Sequence, residues 1–512
     1  MLRGYFRLRS ERTDRWGENL RAIQLRQLHR LLKRAGNTLY GHEHGFADIA
    51  GAADADLYSE FAARVPRVEY EQIRPLVDRM LQGEKNVLWP GVCCDFAQSS
   101  GTSGGKSKYI PITRDSLRIN HYAGGTDAVA HYLRMVPDSR LFEGKGLILG
   151  GSFANELSGL SPRTRVGDLS ATLISRINPL ANLVRVPDKR TALMPDWTEK
   201  LPLMAAKAAG ADVSNISGVP SWMLTLLRRV MALRGEQDLK KVWPHLEVFF
   251  HGGISFEPYR AEYASLMPSG NIRYLENYNA SEGFFAVQND FDDPGMLLLI
   301  DAGIFFEFAP LDGSAPLPPW EVEEGRTYEL LISACNGLWR YSPGDTVQIC
   351  SVSPHKIRVA GRTKSFINAF GEEVMEWNAE RAVAAACLAT GAAVANYTVA
   401  PVFSHNGAKA RHQWLVEWTK KPDFIENFAH ELDMALQSVN SDYQAKRVGD
   451  IFLDSPEIIT LPAGSFDRWL VTVGSGKLGG QRKIPRLAND RRFIDPLLRL
   501  NSADTQKSSD NV

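Results

Sequence analysis

A short stretch of glycines, hydroxyl side chains and lysines constrains this chain more than any other segment. Residues 97–113 read AQSSGTSGGKSKYIPIT, and the extended, apolar residues on either side of the polar centre predict two strands joined by a loop. A helix directly after the loop is excluded, because Pro111 would fall in its second turn. Glycines let backbone N–H groups turn towards an anion, and serine, threonine and lysine side chains complete a phosphate cradle. The stretch therefore predicts a phosphate-binding loop between strands.

Three known motifs compete for this loop. A Walker A loop requires G-x-x-x-x-G-K-[ST], but Ser100 stands where the first glycine belongs, and no helix follows. A hydrolase nucleophile elbow, G-x-S-x-G, fits residues 101–105 with Ser103 as the nucleophile, yet it also needs an immediate helix. The phosphate loop of adenylate-forming enzymes, S-S/T-G-T-[ST]-G-x-x-K, lies between strands. Its first six positions match residues 99–104, and lysines at 106 and 108 stand on either side of the position where the motif has its lysine. A surface hairpin rich in glycine and serine is the structural alternative.

Charge and composition exclude several classes of function. Lys+Arg 59 balances Asp+Glu 59, so no global field would attract nucleic acid or an anionic membrane. The five cysteines include no C-x-x-C pair, which favours reduced thiols. The N-terminus lacks the apolar segment of a secretory signal, and the longest apolar run, 296–310, is too short and too charged to cross a bilayer. We therefore expect a cytoplasmic protein, a monomer or weak oligomer, that binds neither nucleic acid nor membrane.

Alternating buried strands and helices predict the α/β class for the first part of the chain. The segment between 152 and 200 reads as long and irregular. From about residue 284 strands dominate, which predicts an antiparallel sheet or small barrel attached to the α/β layers. In the α/β part, the predicted helices lie near 114–135, 200–210, 221–234 and 256–267. The predicted strands lie near 145–151, 246–250 and 271–278, and residues 213–222 are predicted as a strand that ends in a turn.

A smaller α+β domain is predicted to follow a boundary at about residue 364. Its helices are expected near 375–390, with Gly391 as the C-cap, and near 422–439. The resulting division is 1–364 for the large domain, 365–500 for the small one and 501–512 for a polar, disordered tail. Strands of the small domain are expected near 396–403, 413–419, 449–454 and 467–473.

Polar turns follow several of the predicted strands, and ligands of α/β sheets bind at the carboxyl ends of strands. Gly252 and Gly253 would let a flat base approach the backbone, and Tyr278 offers a ring for stacking. Glu282 is a hard oxygen ligand that suits Mg²⁺ beside phosphates, and Asp345 can accept hydrogen bonds from ribose hydroxyls. Each motif alone is a common turn or core residue, but their order and spacing together with the loop indicate a nucleotide site.

These motifs resemble those of the adenylate-forming superfamily, which includes acyl-CoA synthetases, peptide-synthetase adenylation domains and luciferases. More closely, the chain is similar to the plant auxin-responsive family of acyl acid–amido synthetases, which conjugate indoleacetate or jasmonate to amino acids, and to its bacterial relatives. The resemblance spans nearly the whole chain. It is carried by residues 99–108 (SSGTSGGKSK), 278–282 (YNASE), 338–345 (LWRYSPGD) and 481–486 (QRKIPR).

The resemblance implies a ligase with two steps. A carboxylic acid would attack the α-phosphorus of Mg·ATP to give acyl-AMP and pyrophosphate. The amine of an amino acid would then take the acyl group and expel AMP. The large domain would bind ATP and the acid, and the β- and γ-phosphates would be held by Ser99, Ser100, Gly101, Thr102, Ser103 and Lys106.

The remaining roles are also implied by position in the family motifs. Gly252, Gly253 and Tyr278 would flank adenine, and Asp345 would hold ribose with Arg362 nearby. The hinge between the two domains would fall near residues 362–365. The small domain would therefore be mobile.

Three further residues would act on the reacting groups. Ser281 would contact the α-phosphate or the acid, and Glu282 would bind Mg²⁺. Lys483 of the mobile domain would bridge the acid carboxylate and the α-phosphate, while Lys477 is a rival for this role. The chain departs from the plant motif where Ser342 and Pro343 replace arginine and valine, which changes the neighbourhood of the ribose ligand.

Two other activities remain open from the sequence. A ligase that passes the acyl group to coenzyme A or a carrier protein would use the same first step. A serine hydrolase would use Ser103 with backbone near His251 as the oxyanion hole, although that segment usually precedes the nucleophile. An aryl or apolar acid is expected if the pocket is lined by Tyr122, Tyr132, Phe153 and Trp222.

Overall fold

The structure is a computed structural model, and the chain divides in it into two compact units. It describes residues 2–99, 108–153, 160–253, 256, 259–362, 366–404, 409–450, 452–472 and 485–500. Of these, the smaller unit holds 259–262 and the described residues from 366 onwards, and the larger unit holds the rest. The separate roles predicted for 1–364 and 365–500, and the disordered tail, stay predictions.

Helices occur throughout the described chain. The α-helices are α1 (Leu2–Glu11), α2 (Trp16–Ala35), α3 (Leu39–Glu43), α4 (Phe46–Ile49), α5 (Leu57–Arg64), α6 (Tyr70–Leu81), α7 (Tyr122–Met135), α8 (Leu169–Arg176), α9 (Lys189–Ala192), α10 (Trp197–Ala209), α11 (Pro220–Arg234), α12 (Leu239–Val242), α13 (Arg260–Ser265), α14 (Glu376–Thr390), α15 (Ile425–Val439), α16 (Ser441–Arg447) and α17 (Ser465–Thr472). A π-helical turn covers Ser116–His121, and 3₁₀ turns cover Arg12–Arg15, Pro179–Val184, Pro319–Glu321 and Val448–Asp450.

The strands within the described residues group into one large and three small sheets. They are β1 (Asp95–Ser99), β2 (Lys108–Ile112), β3 (Lys145–Ile148), β4 (Arg165–Gly167), β5 (Arg185–Val186), β6 (Val213–Gly218), β7 (Val248–Gly252), β8 (Arg273–Ala280), β9 (Gly283–Gln288), β10 (Met296–Leu298), β11 (Ile304–Pro310), β12 (Thr327–Ala334), β13 (Asp345–Val352), β14 (His355–Arg362), β15 (Phe366–Ile367), β16 (Val374–Met375), β17 (Ala393–Val402), β18 (Arg411–Lys420) and β19 (Glu457–Leu461).

The large sheet confirms the predicted α/β class with an antiparallel part. Its strand order is β11-β12-β13-β14-β10-β9-β8-β7-β6-β3-β5. The strands from β5 to β8 are parallel, and β8 is the first to pair antiparallel, with β9. The four-stranded meander β11–β14 joins the rest through β10 and β14, which pair Met296 with Ile357 and Leu297 with Lys356. The antiparallel strands therefore continue the α/β sheet.

The strands predicted on either side of the glycine-rich loop are present. β1 and β2 pair antiparallel from Asp95 with Ile112 to Ser99 with Lys108, and the loop itself lies outside the described residues. The segment 152–200 is less irregular than expected, because β4 pairs parallel with β1 and β5 pairs parallel with β3. These pairings join strands that are far apart in sequence, so no local sequence pattern predicts them.

The smaller unit contains the sheet β17-β18-β19 and its own apolar core. Gly391 has φ 65°, which confirms the predicted C-cap of α14. The strand predicted at 467–473 is wrong, because α17 forms over this segment. Phe466 and Trp469 are three residues apart, so they lie on one face of the helix, and both belong to the apolar core that also contains Leu497. Residues 449–454, also predicted as a strand, contain a 3₁₀ turn.

The five cysteines are all free thiols, as expected. Burial raises the pKa of the Cys93 thiol to about 12, so this thiol stays protonated at neutral pH. Within the described ranges, every helix is too short or too polar for a bilayer crossing.

Lys200 is a charged side chain in the interior of the larger unit. It is 0% exposed, and its amine donates hydrogen bonds to the carbonyl oxygens of Gly150 at 2.7 Å and Gly151 at 3.0 Å. The amine also lies 4.4 Å from the ring centroid of Trp197. Burial lowers the pKa of Lys200 to about 8.

This lowered pKa predicts a pH dependence of stability. Between pH 8 and the ordinary lysine pKa of 10.5, the unfolded chain binds more protons than the folded chain, so stability rises with pH. The free energy of unfolding of the wild type relative to Lys200→Met should rise by about 3 kcal/mol across this window. Urea denaturation at a series of pH values measures it. The same difference measured against Lys33→Met, a change of an exposed lysine, serves as the control and should not show this rise. A difference between wild type and Lys200→Met that stays flat across the window would contradict the assignment.

Candidate active site

Two sequence-predicted residues meet directly in the larger unit. Tyr278 lies on β8 and Asp345 begins β13, and the tyrosine hydroxyl donates a 2.6 Å hydrogen bond to Asp345 Oδ2. Both residues are buried, with 7% and 6% exposure. The ring of Tyr278 packs edge-on against Phe285 at 4.8 Å between centroids. This packing and the hydrogen bond fix the orientation of both side chains.

The paired glycines lie at the carboxyl end of a parallel strand, as predicted. Gly252 ends β7 and pairs with Asn277 of β8, one residue before Tyr278. A Cβ at Gly252 would collide with the carbonyl oxygen of Asn277, so the close strand pairing itself requires glycine. Gly253 has φ +83°, a conformation that glycine adopts without strain. These glycines therefore serve the turn that leaves β7, next to the strand that carries Tyr278.

Ser281 and Glu282 form the two-residue turn between β8 and β9. Glu282 is 7% exposed, and its carboxylate accepts a long 3.5 Å hydrogen bond from the Tyr341 hydroxyl. The buried amide of Asn336 donates to the main-chain oxygen of Glu282 at 3.0 Å. The turn is thus held by the same segment, 336–345, that supplies Asp345.

Other predicted site residues are described only in part. Ser99 ends β1 and Arg362 ends β14, where its backbone pairs with Asp345, but their side chains lie outside the described set. The remaining predicted phosphate ligands, Ser100, Gly101, Thr102, Ser103 and Lys106, lie outside the described residues, and so does Lys483. The roles of these residues stay predictions.

Sequence reasoning missed an asparagine that supports the β8–β9 turn. Asn120 is buried in the π-helical turn, and its amide donates to the main-chain oxygens of Phe284 and Ala302, each at 3.0 Å. Its side-chain oxygen accepts from the backbone N–H of Phe284 at 2.7 Å. The only signal was a polar residue on the inner face of a predicted helix. Burial also lowers the pKa of the adjacent His121 to about 4, so its ring is neutral at neutral pH.

A buried ion pair supports the segment that carries Asp345. Arg340 has φ +40°, which is strained for a residue other than glycine. Its guanidinium contacts both carboxylate oxygens of Glu307, whose side chain is 0% exposed, and donates to the carbonyl oxygens of Ala62 and Val65 at 2.9 Å. Burial raises the pKa of Glu307, and the charge of Arg340 opposes this shift.

Ser342, which replaces the arginine of the plant motif, has a defined structural role. Its hydroxyl donates to Glu329 Oε1 at 2.5 Å and accepts from the backbone N–H of Gly344 at 3.1 Å. Arg67 contacts the other oxygen of Glu329 at 2.6 Å. A serine anchored to a carboxylate therefore fixes the turn that precedes Asp345.

The four aromatic residues expected to line an acid pocket differ in their surroundings. Tyr132 is fully buried and packs edge-on against Phe250 at 5.7 Å, so it belongs to the core. Tyr122, Phe153 and Trp222 are only partly buried. These three side chains are accessible enough to contact a bound acid. The acid pocket itself stays a prediction.

Three family models match the chain. The GH3 family N-terminal domain matches residues 9–272, the central domain 297–362 and the C-terminal domain 377–492. One curated relative is the indole-3-acetic acid-amido synthetase GH3.8 of Oryza sativa subsp. indica, with 24% identity over 92% of this chain and 89% of the relative. Another is the probable indole-3-acetic acid-amido synthetase GH3.1 of Arabidopsis thaliana, with 22% identity over 94% of this chain and 91% of the relative.

Solved structures share the fold. One is AtGH3.15 acyl acid amido synthetase in complex with 2,4-DB, with a TM-score of 0.59 and 20% identity over 94% of each chain. Another is a 2-hydroxyisobutyryl-CoA ligase in complex with 2-HIB-AMP and CoA, with a TM-score of 0.55 and 14% identity over 94% of this chain and 92% of that chain. The predicted resemblance is confirmed, since the family models extend from the first strands to the last: the chain belongs to the GH3 family.

Proposed function

We propose that this chain is an ATP-dependent acyl acid–amido synthetase. It adenylates a carboxylic acid with release of pyrophosphate and then transfers the acyl group to the amine of an amino acid. The observation that carries the proposal is the pair of contacts Tyr278–Asp345 and Glu282–Tyr341. They unite two of the segments on which the family resemblance rests. No covalent protein nucleophile is needed, because positioning and charge neutralisation suffice for this chemistry.

The nucleotide would lie along the carboxyl ends of β7 and β8. Adenine would lie beside Gly252, Gly253 and Tyr278, and ribose on Asp345 with Arg362 nearby. The orientation of Asp345 supports this role, because a carboxylate held on one oxygen by a tyrosine is preorganised for a diol. The phosphates would be held by Ser99, Ser100, Gly101, Thr102, Ser103 and Lys106.

Mg²⁺ would bind to Glu282 together with phosphate oxygens, and Ser281 would contact the α-phosphate or the acid. Within the described part of the chain, no three His, Cys, Asp or Glu side chains cluster as a metal site. A single carboxylate fits this ion, because Mg²⁺ beside nucleotides uses one or two carboxylates and substrate phosphates. Lys483 would neutralise charge on the acid and the α-phosphate. The domain 365–500 would be mobile, with a hinge near 362–365.

The hydrogen bond between Tyr278 and Asp345 gives a direct prediction. Tyr278→Phe removes the donor that orients the ribose ligand, so the KM for ATP should rise about tenfold while the KM for the acid changes little. Steady-state kinetics with each substrate varied measures the two values. Tyr328→Phe is the matched control, since this fully buried tyrosine lies on β12 of the same sheet. An unchanged KM for ATP, or an equal rise for the acid, would contradict the assignment.

The function itself is tested by acid-dependent exchange of pyrophosphate into ATP across a library of carboxylic acids. Aryl and apolar acids are expected to support exchange, and amino acids should then release AMP from the loaded enzyme. Absence of exchange with every acid in the library would refute the adenylation step. Release of AMP by no amino acid would refute amide formation.

Transfer to coenzyme A is the second candidate, because one fold neighbour is a CoA ligase with an acyl adenylate and CoA bound. The first half-reaction is the same in both, so exchange does not separate them. Parallel incubation of the loaded enzyme with amino acids and with coenzyme A does. An acyl thioester as the main product would favour the second candidate.

A further inference from the structure

A cavity of about 630 Å³ lies in the larger unit at one end of the β1–β2 hairpin. Asp95 and Ile112, which pair at one end of the hairpin, both line the cavity. Ser99 and Lys108 pair at the other end of the hairpin, next to the glycine-rich loop. Its volume falls in the range of small-molecule sites in proteins. None of the residues assigned above to the nucleotide or the acid lines it.

The inner wall of this cavity is apolar. Met80, Trp89 and Ile112 are at most 4% exposed, and Leu117 is 8% exposed. Val92 lies nearer the solvent, with 50% exposure. Such a wall favours a ligand with a hydrophobic body, because burial of its apolar surface is the main source of binding energy.

The polar lining carries an excess of positive charge. It contains the four arginines Arg34, Arg114, Arg163 and Arg176 against the two aspartates Asp95 and Asp115, which leaves two positive charges unbalanced. A cleft lined by one sign of charge over apolar walls concentrates ions of the opposite sign. The lining therefore selects an anion.

Both aspartates are already engaged. Asp95 is contacted by Arg165 at 2.5 Å and Arg176 at 2.9 Å. Asp115 accepts from Trp89 Nε1 at 3.0 Å and from Arg34 Nε at 3.4 Å. The excess charge is thus not offset by acids of the lining.

Arg114 and Arg163 are the arginines most available to a ligand. Both are exposed, and neither forms a hydrogen bond or ion pair with a residue that the structure describes. Planar guanidinium groups bind carboxylates through two parallel hydrogen bonds. We propose that this cavity is a second ligand site, which binds an organic anion with an apolar body and one or, preferably, two carboxylates, such as an N-acyl derivative of an acidic amino acid.

Hydrogen exchange followed by mass spectrometry tests this site on the full chain without ATP. Three probes with the same ring system differ in charge: N-(2-naphthoyl)aspartate, 2-naphthoate and the neutral 2-naphthamide. The dianion should protect the backbone of residues 89–95 at about tenfold lower concentration than the monoanion, and the amide should not protect it. The readout does not depend on turnover, so it separates failure of this proposal from failure of the proposed function.

Two sets of variants locate the anion. Arg114→Gln with Arg163→Gln should weaken protection by the dianion about tenfold or more, because both free guanidinium groups are lost. Arg26→Gln, an exposed arginine outside the cavity, should leave it unchanged. Val92→Asp places a carboxylate in the wall of the cavity. It should weaken protection by the dianion more than Val92→Asn does, because asparagine has the same size but no charge.

Several outcomes would overturn the proposal. They are absence of protection at 89–95 with both anions, protection by the amide at the same concentration, and equal protection in the double arginine variant and the wild type. Equal effects of Val92→Asp and Val92→Asn would also do so. Because these side chains are exposed, we expect each variant to fold, and circular dichroism of each variant checks this.

Discussion

Replacing Lys483 with methionine should lower acid-dependent exchange of pyrophosphate into ATP about a thousandfold. The proposed amine neutralises charge that develops between the acid carboxylate and the α-phosphate, and methionine keeps the length of the side chain without the charge. Aminolysis of supplied acyl adenylate does not pass through that transition state, so it should change by at most about threefold. Exchange at saturating acid and single-turnover aminolysis measure the two steps.

The control for this prediction is Lys477→Met, the rival lysine in the same part of the chain. It should leave exchange close to the wild-type value. A loss of aminolysis as large as the loss of exchange would mean that Lys483 serves folding or both steps equally. A large effect of Lys477→Met alone would transfer the role to that residue.

Replacing Arg340 with methionine should destabilise the larger unit by about 3–5 kcal/mol. The change leaves Glu307 buried without its cation and also removes donors from the carbonyl oxygens of Ala62 and Val65. The double variant Arg340→Met with Glu307→Leu removes both charges and should recover roughly half of the loss. Urea denaturation of the wild type, both single variants and the double variant gives the coupling energy.

Arg326→Met is the matched control for this ion pair. Arg326 is partly exposed and contacts Asp312 and Glu323, so its loss should cost at most about 1 kcal/mol. A double variant that is destabilised by the sum of the two single changes would show that the buried charges do not depend on each other.

The sequence predicted elements whose signals are local. Pro111 and the flanking apolar residues were sufficient to predict β1 and β2, and Gly391 was sufficient to predict where α14 ends. Prediction from the sequence failed where contacts with residues distant in sequence decide the secondary structure. The apolar residues of 467–473 read as a strand, but Phe466 and Trp469 enter the apolar core that contains Leu497 at helical spacing.

The site shows the same division between local and distant information. Tyr278, Glu282 and Asp345 were identified as candidates from the turns in which they occur. The bond between Tyr278 and Asp345 joins residues that are 67 positions apart, so no sequence window contains it. Asn120 was missed because its partners lie 164 and 182 positions away and the π-helical turn that carries it has no distinct residue pattern.

The meander β11–β14 meets the remainder of the sheet along one short seam, the pairing of β10 with β14. Tyr278 and Asp345 stand on opposite sides of that seam. A slip of one residue in the pairing of β10 with β14 would shift the meander by about 3.3 Å along the strand. A shift of this size would break the 2.6 Å hydrogen bond between the Tyr278 hydroxyl and the Asp345 carboxylate. A sheet with the wrong register would thus lack the oriented carboxylate proposed to bind ribose. The affinity for ATP would therefore show whether the two parts of the sheet had paired correctly.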